Sequence, residues 1–561
     1  MKLAEKDISF LKGLSNIAGI FTLIVALLMI FSLVQLKTIN PLDSPALLTI
    51  KDQYDKDPEN AEKAEQVRAM DLMARKAYFS TRRQVETGSY LLLAGAIIFV
   101  FCQRLITGND KLTPVFSESK PDPIKRKRRD RDYLVITASV ITIGAVAASF
   151  ILRGDLPDLS NGKVAGNESN MSKKDAFKPD KTNFPYFRGQ DGHGFAGGSG
   201  YPTDWDGESG KNIKWKTVIP KDGKSSPVIW DDRIFITGAE GNACEVYCLD
   251  KKSGEILWTA PATGIQGEPS EVPEMDHDAG MAVATVAANG KSVCAIFANG
   301  NLICLDHKGR QKWVKNLGLP QNTYGFASSL IMYEDNLIVQ YESSTRLSLI
   351  GIDIESGEER WETVRTGRPA WSSPILAYFN GKPQVILNGN PNVTSYDAVT
   401  GKELWAVECL LGDVGPSLAV NSTMAYAVTD YDKLSAVRAG TGASIIWQDN
   451  TFTPDVSSPV ATEEFLFLST GNGDIACYNA VKGDTLWSRF KNEPFYASPM
   501  IADEMVYFLD RSGTMHIVKA GGEYNLISEP KLGEMADCTP AFSDKDIFIR
   551  GRKNIYCISE N

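Results

Sequence analysis

The sequence predicts an all-β, eight-bladed β-propeller preceded by an α-helical transmembrane region. Three observations carry that reading. A phrase ending in tryptophan recurs through the C-terminal two-thirds of the chain. Eight short openings of small polar residues, often marked by proline, recur with it. Three uncharged apolar runs of 24, 17 and 20 residues precede the repeat.

The repeat comes first, because self-similarity at a fixed period sets the architecture. Its phrases are LDKKSGEILW ending at Trp258, LDHKGRQKW at Trp313, IDIESGEERW at Trp361, YDAVTGKELW at Trp405, VRAGTGASIIW at Trp447 and YNAVKGDTLW at Trp487. Successive tryptophans lie 55, 48, 44, 42 and 40 residues apart. A seventh phrase, VKAGGEYNLI, puts Ile527 at the tryptophan position. The openings are Ser226-Pro227, Ala284-Thr285, Ser328-Ser329, Ser373-Pro374, Pro416-Ser417, Ser458-Pro459, Ser498-Pro499 and Thr539-Pro540. A period of about 40–45 residues holding four short strands is that of a propeller blade. Asp or Asn opens the turn by accepting backbone hydrogen bonds, and the glycine four residues on takes a positive φ. The tryptophan that follows is placed to lie across the gap to a neighbouring blade, burying roughly 150–250 Å².

The last unit, residues 538–558, has about three strands. Residues 212–219 (NIKWKTVI) supply the fourth, with Trp215 at the tryptophan position. Both ends of the domain thus join one blade and remove the open edge of the ring. Trp215, Trp258, Trp313, Trp361, Trp405, Trp447 and Trp487 are the expected docking residues. Cys248, Cys304, Cys477 and Cys557 occupy a position two residues before the turn that holds Gly351, Ser395 and Ala436 elsewhere. Cysteine there is a small packing residue, and few or no disulfides are expected.

The N-terminal region reads as a membrane anchor spanning 1–152. Its three spans are 13–36, 87–103 and 133–152, each close to bilayer length. Lys2, Lys6 and Lys12 precede the first span, and the run PIKRKRRDRD lies between the second and third. Basic loops stay cytoplasmic, so the N-terminus is inside and the chain after Arg153 is outside. A helix is expected over 58–86 on the outer side, and 153–182 reads as a flexible linker to a propeller over 183–561. Residues 1–182 carry 27 Lys and Arg against 21 Asp and Glu, and the remainder 32 against 48. An acidic C-terminal domain excludes a phosphate-backbone partner, so no nucleic acid is expected. The expected partners are the lipid bilayer and other envelope proteins.

The phrase D-x-x-[ST]-G-x-x-x-W, with the leader NFPYFRGQDGHGFA at 183–196, resembles the quinoprotein-like propellers (PQQ-repeat, BamB-type). That group includes alcohol dehydrogenases that use pyrroloquinoline quinone (PQQ). It also includes the BamB-type propeller subunit of the outer-membrane protein assembly machinery, which binds no quinone. The resemblance covers roughly 183–561. For an enzyme it implies adjacent cysteines over the quinone and a calcium site of Glu, Asn and Asp. The chain has no adjacent cysteines, and no C-x-x-C-H haem motif. The carboxylates of the insertion GIQGEPSEVPEMDHDAG (Glu268, Glu271, Glu274, Asp276, Asp278) do not match the enzyme spacing.

Where the repeat is broken, the candidate ligand-facing residues are Trp371, Glu274, Asp276, His277 and Asp278. The insertion reads first as an ordinary solvated loop. Arg188 and Asp191 are placed to fix the leader to the ring by a salt bridge. Trp205 and Trp230 fall outside the repeat. No catalytic residue, metal site or cofactor is expected. PQQ with calcium enters only under an alternative, a PQQ-dependent dehydrogenase-like or small-ligand-sensing quinoprotein. The primary expectation is a non-catalytic, membrane-anchored scaffold or assembly factor. It would sit on the outer side of a bacterial inner membrane, with the propeller in the periplasm. A purely structural envelope protein is the third possibility.

Overall fold

In a computed structural model of the chain, the described residues are 13–22, 25, 95 and 180–560, except 277 and 441. The chain divides into two compact units, Met1–Asn170 and Met171–Asn561. In the first, residues 13–22 and 25 are helical. Ser15, Ala18 and Val25 are buried, and Gly95 packs so closely on Thr22 that a Cβ there would collide with its hydroxyl. Among the described residues no helix is long and apolar enough to cross a membrane. Most of the three expected spans, the 58–86 helix and nearly all of the linker lie outside the described residues.

The second unit consists of eight four-stranded antiparallel sheets. Each follows the chain from inner to outer strand. Blade 1 is Val228–Trp230, Arg233–Glu240, Ala243–Asp250 and Ile256–Pro261. Blades 2 to 7 follow over 287–316, 331–364, 375–408, 419–449, 460–490 and 500–528. Blade 8 takes Ala541–Ser543, Asp546–Arg550 and Asn554–Ile558, and Ile213–Val218 completes it as the outer strand. The two ends of the domain therefore share one sheet, with Trp215 paired to Cys557.

The opening residues explain how the inner strands are held. The backbone N–H of each donates to the hydroxyl of the next: Ser226 to Thr285, then Ser329, Ser373, Ser417, Ser458, Ser498, Thr539 and back to Ser226. All eight bonds measure 2.8–3.1 Å. A hydroxyl is needed because these N–H groups are buried and have no partner strand on the axis side.

The tryptophans knit the outside. The Trp258, Trp313 and Trp447 indoles lie against Gly309, Gly357 and Gly483 of the following blade, and Trp215 of blade 8 lies against Gly254 of blade 1. A Cβ at Gly254 would sit 2.5 Å from the Trp215 ring. Glycine there serves both the positive φ of the turn, 75°, and the close approach of the indole. Nε1 of Trp215, Trp258, Trp313, Trp447 and Trp487 donates to a turn carbonyl of the next blade at 2.8–3.1 Å. Two differ. Trp405 bonds Gln384 of its own blade at 3.0 Å, and Trp361 leaves Nε1 buried without a partner. The small position of the third strand lies directly opposite the tryptophan, as in Cys248 with Trp258 and Gly351 with Trp361. A β-bulge follows at once.

Blade 7 corrects one expectation. Ser528, not Ile527, pairs with Ile517 and so takes the tryptophan register. Its space is filled from outside the repeat. The Ser528 hydroxyl donates to the Thr203 carbonyl at 2.5 Å, and Trp205 is buried in the cluster that joins blades 7, 8 and 1.

Ser417→Ala would strip the Ser373 N–H of its acceptor, which costs about 1–3 kcal/mol for a buried donor. Ser417→Thr keeps the hydroxyl and should lose less than half of that. Denaturant unfolding followed by tryptophan fluorescence measures both. Equal losses would remove the hydroxyl circuit from the account.

Candidate functional site at the loop end of the channel

The inner strands all run the same way along the axis, so the channel has two chemically different ends. The leader occupies the downstream end. Phe184 pairs with Ile229 of blade 1, and the Pro185 carbonyl accepts from Ala288 of blade 2. The Tyr186 hydroxyl donates to Met332 of blade 3 at 3.0 Å. His193 Nε2 lies 2.5 Å from the Leu376 carbonyl of blade 4. Arg188 donates to the Leu418 carbonyl of blade 5 at 2.9 Å and to Pro459 of blade 6. Ala196 and Gly194 bond Ile501 of blade 7, and the Thr182 carbonyl accepts from Ser543 of blade 8. Residues 182–196 thus reach the inner-strand segment of every blade and stopper that end.

The expected Arg188–Asp191 salt bridge is not formed. Arg188 spends its guanidinium on main-chain carbonyls, because it is fully buried at a point where carbonyl groups of two blades converge. Burial lowers its pKa to about 9 and that of His193 to about 4, and pushes the Asp191 carboxyl up to about 6.

The upstream end, ahead of the hydroxyl circuit, carries the loops that connect blades. Here the structure gathers residues that are distant in sequence. Asp278 lies 3.6 Å from Lys224 Nζ and 3.2 Å from Arg511 Nη2, and its second oxygen is 3.5 Å from the Tyr496 hydroxyl. Arg511 stacks on the Tyr496 ring at 3.9 Å and bonds Asp537 at 2.7 Å. Arg552 reaches the other Asp537 oxygen at 3.4 Å. Burial disfavours the Arg511 charge, but Asp537 and Asp278 outweigh it and hold the pKa above the usual value. Burial, with Asp455 and Asp278 nearby, pushes the Tyr496 phenol up to about 12.

Trp371 belongs to this end. Its ring meets Tyr324 edge-on at 4.8 Å, and its Nε1 is buried without a hydrogen-bond partner. A buried ion pair positions its loop. Arg365 bonds Glu342, both side chains being at most 5% exposed, and Glu342 also accepts from the Ala370 N–H at 3.1 Å. Burial raises the Glu342 pKa despite Arg365. Asp276 caps its own turn by accepting from Asp278 N–H at 2.8 Å, and its N–H bonds Thr323 beside Tyr324. Glu268 braces the insertion by accepting from Gly264, Ile265 and Asn299. Glu274 is exposed and His277 lies outside the described residues. So Trp371, Asp276 and Asp278 come together through Tyr324. Lys224, Tyr324, Tyr496, Arg511 and Asp537 were not legible as members, because they come from different blades and share no motif.

A quinone with calcium requires carboxylates left open to a cation. Asp278 and Asp537 already carry Lys224, Arg511 and Arg552. Among the described residues no group of three His, Cys, Asp or Glu is placed to hold a metal. The donor set does not fit that cofactor.

A family profile described as outer membrane protein assembly factor BamB matches residues 206–375 and 432–523. These stretches hold blades 1 to 3 and most of blades 5 to 7. The protein of that description from Yersinia pestis is 22% identical over 309 residues, which is 54% of this chain and 63% of that protein. The chain thus spans less than two-thirds of that relative. Among solved structures, a europium-containing methanol dehydrogenase is 12% identical with a TM-score of 0.52, over 66% of this chain and 89% of that one. The quinohemoprotein alcohol dehydrogenase from Comamonas testosteroni is 12% identical with a TM-score of 0.50, over 68% and 81%. At that identity the likeness is one of fold.

The Asp191 carboxyl offers a pH test of the stopper. Its folded pKa of about 6 exceeds its ordinary value of 3.8, so the folded state holds this proton more tightly. The stability it contributes is full below the ordinary value and is lost as the pH rises through about 6. Asp191→Asn should match the parent at pH 4 and exceed it by about 2–3 kcal/mol at pH 7.5. Unfolding curves at the two pH values decide this, and a variant less stable at both would refute it.

Proposed function

We propose that the chain is a non-catalytic propeller, tethered to the inner membrane by its N-terminal region, that binds other envelope proteins during outer-membrane protein assembly. The observation that carries this is the match of residues 206–375 and 432–523 to the BamB description, and the loop end is where a partner would make contact. Val272, Leu319, Leu411, Tyr431, Val456 and Met535 project there from six connections and are 42–54% exposed. Singly exposed apolar residues are ordinary on a protein surface, and Val218, Val364 and Val481 are more exposed elsewhere on the propeller; these six are the apolar contacts the loop end would offer a partner. The name of the Yersinia pestis relative supports the same assignment. The anchor reading rests on the three apolar runs and the basic flanks at 2–12 and 125–131. It places the propeller in the periplasm, with the lipid bilayer as its other contact.

The pairing of Asp278 and Asp537 with cations weighs against the quinoprotein alternative. Those ions are fixed to one another, so they hold the loops rather than await a ligand. Trp371, Asp276 and Asp278 are then structural residues of the docking face, held rigid by Arg365 and Glu342.

Leu411→Glu combined with Tyr431→Glu places two carboxylates on exposed positions. The double variant should keep the parent's unfolding curve and lose at least five-fold in site-specific crosslinking to outer-membrane proteins or their assembly machinery in intact cells. Removing the chain should lower the amount of folded outer-membrane β-barrel protein. Dye-linked dehydrogenase activity of the full chain after addition of PQQ and calcium would overturn the proposal.

A further inference from the structure

The third-strand position opposite each tryptophan has a second neighbour, the residue facing it on the second strand. In seven blades that residue is large and apolar or aromatic. The pairs are Phe235 with Cys248, Ile338 with Gly351, Ile386 with Ser395, Tyr426 with Ala436, Phe467 with Cys477, Tyr507 with Ile517 and Phe548 with Cys557. Blade 2 alone has cysteine on both strands, Cys294 facing Cys304. Both are fully buried, and their sulfurs approach to 2.7 Å.

We propose that Cys294 and Cys304 form an intrablade disulfide when the propeller folds in an oxidising compartment. Directly opposed residues on antiparallel strands have Cα atoms about 4.5–5.5 Å apart, within the range that a disulfide spans. The other described cysteines lack this arrangement. Cys244 faces Ala239, and Cys248, Cys477 and Cys557 each face phenylalanine. The bond also answers a packing question. Two cysteines fill less volume than the aromatic–cysteine pair of blades 1, 6 and 8, and a covalent link draws the strands' side chains together where that bulk is missing. This narrows the expectation of few or no disulfides to one pair.

The chemistry is thiol–disulfide exchange. A disulfide carrier, protein or glutathione, is attacked by one cysteine thiolate to give a mixed disulfide and one carrier thiol. The second cysteine then displaces the other carrier thiol, and the carrier is reduced as the pair is oxidised. Burial and the neighbouring Cys304 sulfur push the Cys294 thiol well above its usual pKa. Exchange therefore belongs to folding, before blades 1 and 3 close over the pair.

The proposal rests on the periplasmic placement of the propeller, and the test separates the two. The full chain is isolated from its own membranes and denatured with an alkylating agent. It is then reduced, labelled with a second reagent and mapped by peptide mass. The expected result is second label on Cys294 and Cys304 and first label on the other propeller cysteines. A parallel sample is refolded with oxidised glutathione. Label exchange in the refolded sample alone supports the pairing and overturns the placement instead. First label on both cysteines in both samples overturns the disulfide. Reductant should lower the melting temperature of the parent by several degrees. It should leave unchanged that of Cys294→Phe, which restores the pairing of blades 1, 6 and 8, or of Cys294→Ala.

Discussion

Eight backbone N–H groups surround the axis of this ring with no strand to satisfy them, and everything else depends on how they are paired. Each finds the hydroxyl of the next blade, so the circuit closes only if all eight blades are present and in register. Leaving one such donor unpaired in the interior costs more than the net worth of an average hydrogen bond. The circuit therefore acts on topology as well as stability. It fixes the height of every inner strand, and with it the positions at which the leader enters from one side and the loops gather on the other.

Sequence periodicity exposed this architecture because each blade meets the same constraints with the same residue types. Ser or Thr recurs at the opening because only a short hydroxyl reaches the adjacent N–H. Gly254, Gly309, Gly357 and Gly483 recur because a turn and an indole compete for the same space. A small residue recurs opposite each tryptophan because the indole covers it. Blade 7 was misread by one residue for an equally physical cause. The turn between its last two strands is one residue longer than in blades 1, 3, 4 and 6, so Ser528 rather than Ile527 faces Ile517. The missing indole is made good by the segment at 201–207, which lies more than 300 residues away in sequence and could not be assigned from the repeat.

The candidate site was much less legible. Trp371, Asp276 and Asp278 stood out because they interrupt the pattern, and the loop end does bring them near one another. Their partners did not stand out. Arg511 sits in an ordinary turn of blade 7, Asp537 in the connection to blade 8, and Glu342 inside a strand between Tyr341 and Ser343. Only closure of the ring places Arg511 against Asp278, 233 positions earlier. The leader shows the same limit. Arg188 and Asp191 look like a local ion pair, but the arginine sits among carbonyls from blades 5 and 6, which can stabilise a buried guanidinium without a carboxylate.

Under the proposed reading, these two ends explain how a fold shared with quinone enzymes would serve binding instead. Catalysis at a channel mouth needs charges that are held in place yet left unsatisfied until the reacting group arrives. Here the opposite has been built. Asp278 and Asp537 are neutralised by Lys224, Arg511 and Arg552, Arg511 is stacked on Tyr496, and Glu342 is tied to Arg365 beneath Trp371. Ions paired in this way lose their reach towards a ligand, and the Asp278–Arg511 pair links loops from non-adjacent blades. The loops then present their apolar tips at fixed separations. On the proposed reading, a docking partner would find the surface already ordered, and preordering is what lets a face with modest apolar area bind selectively.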